Sequence, residues 1–153
     1  MGHSTLGRGE LAALLRDHSI RTVADVRRHP GSRRHPHVAA EALASWLPEA
    51  GIAYVHLAAL GGRRRPVPGS PNGGWENASF QGYADWMGDP SFAAALEEVE
   101  ALDEPAIMCA EAQWWRCHRR LIADALLVRG HDVRHIIGSS DDPHELTPSA
   151  GRS

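Results

Sequence analysis

The chain has 153 residues and no lysine: all 16 of its basic residues are arginine. A GC-rich coding bias accounts for arginine over lysine, but not for where the arginines stand. Cysteine is scarce. The two present, Cys109 and Cys117, are eight residues apart, which rules out a secreted disulfide framework. No apolar run approaches the length of a membrane span. The start, Met1-Gly2-His3-Ser4-Thr5, has no apolar segment of the kind a secretory signal needs. There is no internal repeat and no Gly-rich fingerprint for a nucleotide phosphate such as a P-loop. The formal net charge of -3 argues against a general nucleic-acid binder. What remains is a cytoplasmic protein with no membrane segment and no evident cofactor. It is long enough for one domain with a real core.

Short apolar runs alternate with helical periodicity. Leu6 to Asp17 reads as a helix with Leu11, Leu14 and Leu15 on one face, and Val38 to Ala50 as a helix closed by Gly51. Ile20 to Val26, Ile52 to Leu57 and Ala106 to Cys109 read as strands. Asp89-Pro90 is an N-cap followed by proline at the first helical position. Leu121, Ile122, Ala125 and Leu126 recur at helical spacing up to Gly130, and Val133 to Ile137 reads as a further strand that completes a strand–helix–strand unit. The fold class that follows is α/β: a single-domain, three-layer parallel sheet with helices on both faces. The domain spans residues 1–138, and 139–153 form a flexible, Ser/Asp/Pro-rich tail.

In such a fold the strand ends share one edge, where ligands bind. The loops after Val26, Leu57 and Cys109 therefore meet there, joined by His3 and Ser4. Arg27, Arg28, Arg33, Arg34, Arg63, Arg64, Arg65, Arg116, Arg119 and Arg120 all fall in or beside loops that follow strands. Cys109 at a strand end, near cations, is a candidate nucleophile; the competing reading is a small buried core residue. Cys117, His118 and Arg119 open the next helix, where a thiol, an imidazole and a guanidinium suit an anion. His118 can act as acid or base near neutrality, or make a structural hydrogen bond. Glu111 orients His118 or pairs with Arg27. Cys109, Glu111, Cys117 and His118 also supply metal-ligand types, with His29, His35 and His37 in reserve, though a paired Cys-x-x-Cys knuckle is absent. The long Gly/Pro/Arg-rich connection Ala58 to Asn77, with Trp75, Trp86, Trp114 and Trp115 near the arginine loops, would suit stacked bases, against simple packing.

Several segments together resemble a bacterial and archaeal family numbered 488 among domains of unknown function. They are Gly2-His3-Ser4, Asp25-Val26-Arg27 with Pro30 and Ser32, Leu60-Gly61-Gly62, Tyr83-Ala84-Asp85-Trp86-Met87, Cys109-Ala110-Glu111, Cys117-His118-Arg119, and Val133 with His135-Ile136. They run in order along nearly the whole chain. The resemblance implies an α/β domain with an unassigned activity, and a first strand ahead of Gly2-His3-Ser4 that this sequence does not contain. An Asp-Val-Arg strand end followed by a later strand ending in cysteine also resembles the rhodanese and cysteine-phosphatase arrangement. The loop from Ala110 to Arg116, however, has two tryptophans and no glycine.

These readings point to a cysteine-dependent transferase or hydrolase at the carboxyl edge of the sheet. Cys109, Cys117, His118, Glu111 and Asp25 would carry the chemistry. Arg27, Ser32, Arg33, Arg119, His3 and Trp115 would bind an anionic small molecule, phosphorylated or sulfur-bearing, including a nucleotide. The alternatives are a nucleic-acid-binding or base-processing domain, and a metal-binding domain.

Overall fold

The computed structural model describes residues 1–28, 30–31, 35–62, 64, 68, 70, 78–111, 117–137 and 140–145. The architecture is α/β. The central strand β1 (Thr22–Asp25) is buried along its whole length, as a strand covered on both faces must be. It pairs in parallel with β2 (Ala53–His56) on one side and β3 (Pro105–Met108) on the other, so Ala24 stands opposite both Val55 and Ile107. Outside β3, Gly2 bridges in parallel to Cys109: the Cys109 N–H donates to the Met1 carbonyl at 3.1 Å and the His3 N–H to the Cys109 carbonyl at 2.9 Å.

Neighbouring residues of a strand point to opposite faces, and the core divides accordingly. Val23, Ala106 and Met108 face a cluster built by α1 (Arg8–Asp17) and α2 (Ala40–Glu49) through Leu11, Leu15, Leu43, Trp46 and Leu47. Ala24 faces the other cluster, with α3 (Ala78–Trp86), α4 (Pro90–Glu100) and α5 (Arg119–Val128) supplying Tyr83, Phe92, Leu96, Leu121 and Ile122. The expected three layers are therefore present. The Asp89 carboxylate accepts the Ser91 N–H at 2.8 Å and caps α4, as the Asp-Pro pair predicts. Gly51 and Gly130 close α2 and α5 at φ of 80° and 93°, a region open to glycine at little cost. Among the described residues no helix is long and apolar enough to cross a membrane.

One expectation is corrected. The strand read at Val133 to Ile137 does not enter the parallel sheet. As β4 (Arg134–Ile137) it pairs antiparallel with β5 (Ser140–Pro143), a segment read as part of the tail. The physical reason is proximity: an adjacent segment closes a hairpin at low entropic cost, whereas a parallel partner needs a long crossover. Ser-Asp-Asp-Pro has no intrinsic strand preference, so β4 and the anchor at His144 decide its conformation. The His144 N–H donates to the Val133 carbonyl at 2.8 Å. The His144 ring lies 2.7 Å from Asp124 Oδ1 on α5 and 2.8 Å from the His135 ring on β4, and all three residues are buried. A carboxylate only accepts, so His144 Nε2 carries the proton that Asp124 receives, and His135 Nε2–H donates to His144 Nδ1.

Candidate active site

The carboxyl edge of the sheet delivers Val26, Leu57 and Cys109 to one end of the domain, and α5 begins there. Cys109 and Cys117 are both buried and unbridged, with sulfurs 2.9 Å apart. That is too far for a bond of about 2.05 Å and matches an S–H···S hydrogen bond. In its protonated form Cys109 donates to the Glu111 backbone carbonyl at 3.5 Å, so Glu111 meets the thiol through its main chain. The Cys117 sulfur lies 3.4 Å from His118 Nδ1, and His118 Nε2 lies 2.9 Å from the Val26 carbonyl. Because a carbonyl only accepts, Nε2 holds the imidazole proton and Nδ1 presents its lone pair to Cys117. The four groups form one line: Cys109, Cys117, His118, Val26.

This line sets the electrostatics. The hydrogen bond from Cys117, helped by the charge of Arg119, lowers the Cys109 thiol from 9.0 to about 6 against the opposing effect of burial. The same hydrogen bond, together with burial and the Cys109 charge, pushes Cys117 up. The contact thus lowers one thiol and raises the other, so Cys109 is the sulfur that ionises first. Burial holds His118 down at about 4, with the positive charges of Arg119 and Arg64 acting in the same sense, so His118 is neutral at pH 7. Arg119, the first residue of α5, is itself buried.

The pocket for His118 has a sequence cause that residue-type reasoning missed. A Cβ added at Gly62 would stand 2.8 Å from His118 Nδ1, and one at Gly61 2.6 Å from Arg28 Cβ. Gly61-Gly62 therefore lets the chain pass Arg28 and the imidazole where a Cβ would collide. Tyr83 completes the wall: its ring centroid is 5.3 Å from that of His118 and its hydroxyl donates to the Leu60 carbonyl at 2.7 Å. The pattern Gly-Gly followed by Tyr on the next helix was legible, but its target was not.

Asp25, Arg27 and His3 form a second group beside the first. Asp25 Oδ1 accepts from Arg27 Nε at 2.8 Å, and Oδ2 accepts from Arg27 Nη2 and from the Tyr54 hydroxyl, each at 2.6 Å. Arg27 Nη2 also donates to the Val38 carbonyl at 2.6 Å, and Nη1 to His3 Nε2 at 3.3 Å. The Asp25 side chain is fully buried and that of Arg27 is 10% exposed. The guanidinium therefore clamps the β1 loop to the turn at Pro36–Val38 and to the His3 segment. Arg64 lies 4.1 Å over the Trp86 ring, whose Nε1 donates to the Ala59 carbonyl. Ser32, Arg33 and Trp115 lie outside the described residues, as do His29, Arg34, Trp75 and Trp114.

Among the described residues, no three His, Cys, Asp or Glu side chains gather where a metal ion could sit. Two thiolates on one tetrahedral zinc, at about 2.3 Å each, would stand about 3.7 Å apart, farther than Cys109 and Cys117 do. A groove of about 400 Å³ lies behind the site, between β3, α5 and β4; Arg119 and His135 line it, and the thiols do not.

A family model described as Domain of unknown function DUF488 matches residues 9–126. No curated protein and no solved structure matches the chain.

Proposed function

The chain belongs to the DUF488 family, and from that premise we propose that it is an enzyme whose reactive group is the Cys109 thiolate, acting on a small anionic substrate. The observation that supports this reading is the 2.9 Å contact between Cys109 and Cys117 at the carboxyl edge of the sheet. In it one sulfur is held as thiolate by the proton of the other, with the buried charge of Arg119 alongside. A thiolate is the nucleophilic form of cysteine. In this role its sulfur attacks an electrophilic phosphorus, sulfur or carbon centre, and the leaving group departs with the bond electrons. The Cys117 thiol can give its proton to the leaving group, and neutral His118, whose Nδ1 faces that sulfur, can act as the base toward water in the step that frees Cys109. Arg119 and the amino end of α5 favour a substrate carrying negative charge, phosphorylated or sulfur-bearing. The class of reaction is transfer or hydrolysis. A cytoplasmic setting fits a site that needs both cysteines reduced.

The test is alkylation by iodoacetamide across pH, read by peptide mass mapping. Cys109 alkylates with a midpoint near pH 6, and Cys117→Ala moves that midpoint up to the ordinary thiol range. Inorganic phosphate or thiosulfate slows the reaction as a competing anion. A Cys109 that is inert, or that titrates like a free thiol, would overturn the reading.

A further inference from the structure

We propose that Cys109 and Cys117 are an attacking and a resolving thiol that reduce a small hydroperoxide and close a reversible disulfide between them. This rests on the reading of Cys109 as the thiolate, and adds an activity and a substrate class to the same site.

Three observations carry it. The sulfurs are 2.9 Å apart, so a disulfide needs them to approach by only about 0.9 Å, a movement that side-chain torsions can supply. The pair is polarised in the sense the chemistry requires: the attacking sulfur is the one that ionises more readily, and the resolving sulfur, which shares its proton with it, lies 3.4 Å from the lone pair of His118 Nδ1. Both residues are nearly closed off, at 2% and 8% exposure, which favours an oxidant of a few atoms over a bulky one.

The reaction balances in two steps. The Cys109 thiolate attacks the terminal oxygen of the hydroperoxide and the O–O bond breaks; sulfur is oxidised to sulfenic acid, and the other oxygen leaves as hydroxide (alkoxide from an alkyl hydroperoxide), which takes a proton from solvent to become water or the alcohol. His118 then accepts the Cys117 proton, and the Cys117 sulfur attacks the Cys109 sulfenic sulfur. The S–S bond forms, and the sulfenic hydroxyl leaves as water with that proton. An external dithiol restores the pair by exchange, itself becoming a disulfide. Closing the bridge removes the thiolate and the Cys117 contact to His118, so the oxidised form is also the inactive form of the proposed thiol enzyme.

The experiment treats the reduced full-length protein with hydrogen peroxide, quenches it with acid and alkylating agent, and reads intact mass and peptide maps. The free thiols fall from two per chain to none, the mass drops by two hydrogens, Cys109 and Cys117 appear in one linked peptide, and dithiothreitol reverses all three. Cys117→Ser stops at a Cys109 sulfenic acid that dimedone captures, and Cys109→Ser gives no capture at Cys117. The wild-type measurement needs no variant to fold. A wild-type Cys109 that gains oxygen without bridging, or that does not react with peroxide, would overturn the proposal. If iodoacetamide still finds a midpoint near pH 6 in that protein, only the peroxide inference falls; if Cys109 is inert to both reagents, the thiol-enzyme reading falls as well.

Discussion

Acid should weaken this fold before its carboxylates are protonated. His118 and His135 have folded values of about 4 and about 3, against 6.5 in the unfolded chain. Burial is the main cause in each, with His144 and Arg119 adding to it at His135, and Arg119 and Arg64 at His118. A group whose folded pKa is depressed contributes stability above its unfolded pKa and loses it as pH falls toward the folded one. The window is therefore pH 6.5 downward. Between pH 7 and pH 5 the unfolded chain takes up a proton at each histidine that the folded chain refuses, a loss of about 2 kcal/mol per residue and about 4 kcal/mol for both. His3, also lowered mainly by burial, and the Cys109 thiolate act in the same direction. Against a total of about 5–15 kcal/mol for a domain this is a large fraction. With a urea dependence of about 2 kcal/mol per molar, the unfolding midpoint falls by about 2 M. The assay is urea denaturation followed by far-UV circular dichroism at pH 7, 6 and 5. His135→Gln keeps a donor toward His144 and removes the titration, so it should abolish roughly half of the loss. A midpoint that stays level from pH 7 to pH 5 refutes the reasoning.

Asp25→Asn strips the charge from a buried pair that Arg27 and Tyr54 complete. It should cost about 3–5 kcal/mol, read as a lower urea midpoint, whereas Tyr54→Phe should cost only about 1 kcal/mol. Gly62→Ala forces a Cβ toward His118 Nδ1 and should cost about 1–3 kcal/mol. The same change should return the His118 titration, followed by NMR, toward the ordinary histidine range. Asp124→Asn leaves the buried His144 without its carboxylate acceptor; a loss of about 1–3 kcal/mol is expected, with faster amide exchange across β4 and β5 than across β1.

The parallel sheet was legible because its physics is local. The central strand falls in a short run with Ile20, Val23, Ala24 and Val26 as its apolar residues, an amphipathic helix must repeat near 3.6 residues, and Asp89-Pro90, Gly51 and Gly130 mark ends whose backbone few other residues suit. Cys109, Cys117 and His118 could be named as candidates because strand ends of a parallel sheet share an edge. The tertiary structure decided the rest. That the two sulfurs meet at 2.9 Å, and so divide their protons unequally, depends on how α5 returns against β3 across eight residues; no spacing rule fixes it. That Arg27 turns inward depends on Asp25, Tyr54, Val38 and His3, which come from four separate parts of the chain. The β4–β5 hairpin was illegible for a similar reason. Ser-Asp-Asp-Pro carries no strand signal of its own, and becomes a strand only because Asp124 on α5 and His135 on β4 hold His144 in the core. By itself the sequence determined which surfaces must be buried and where the chain must turn, since hydrophobicity and backbone sterics act residue by residue. Which polar groups meet inside was left to the packing of distant segments, because a hydrogen bond or an ion pair exists only once both partners are in place.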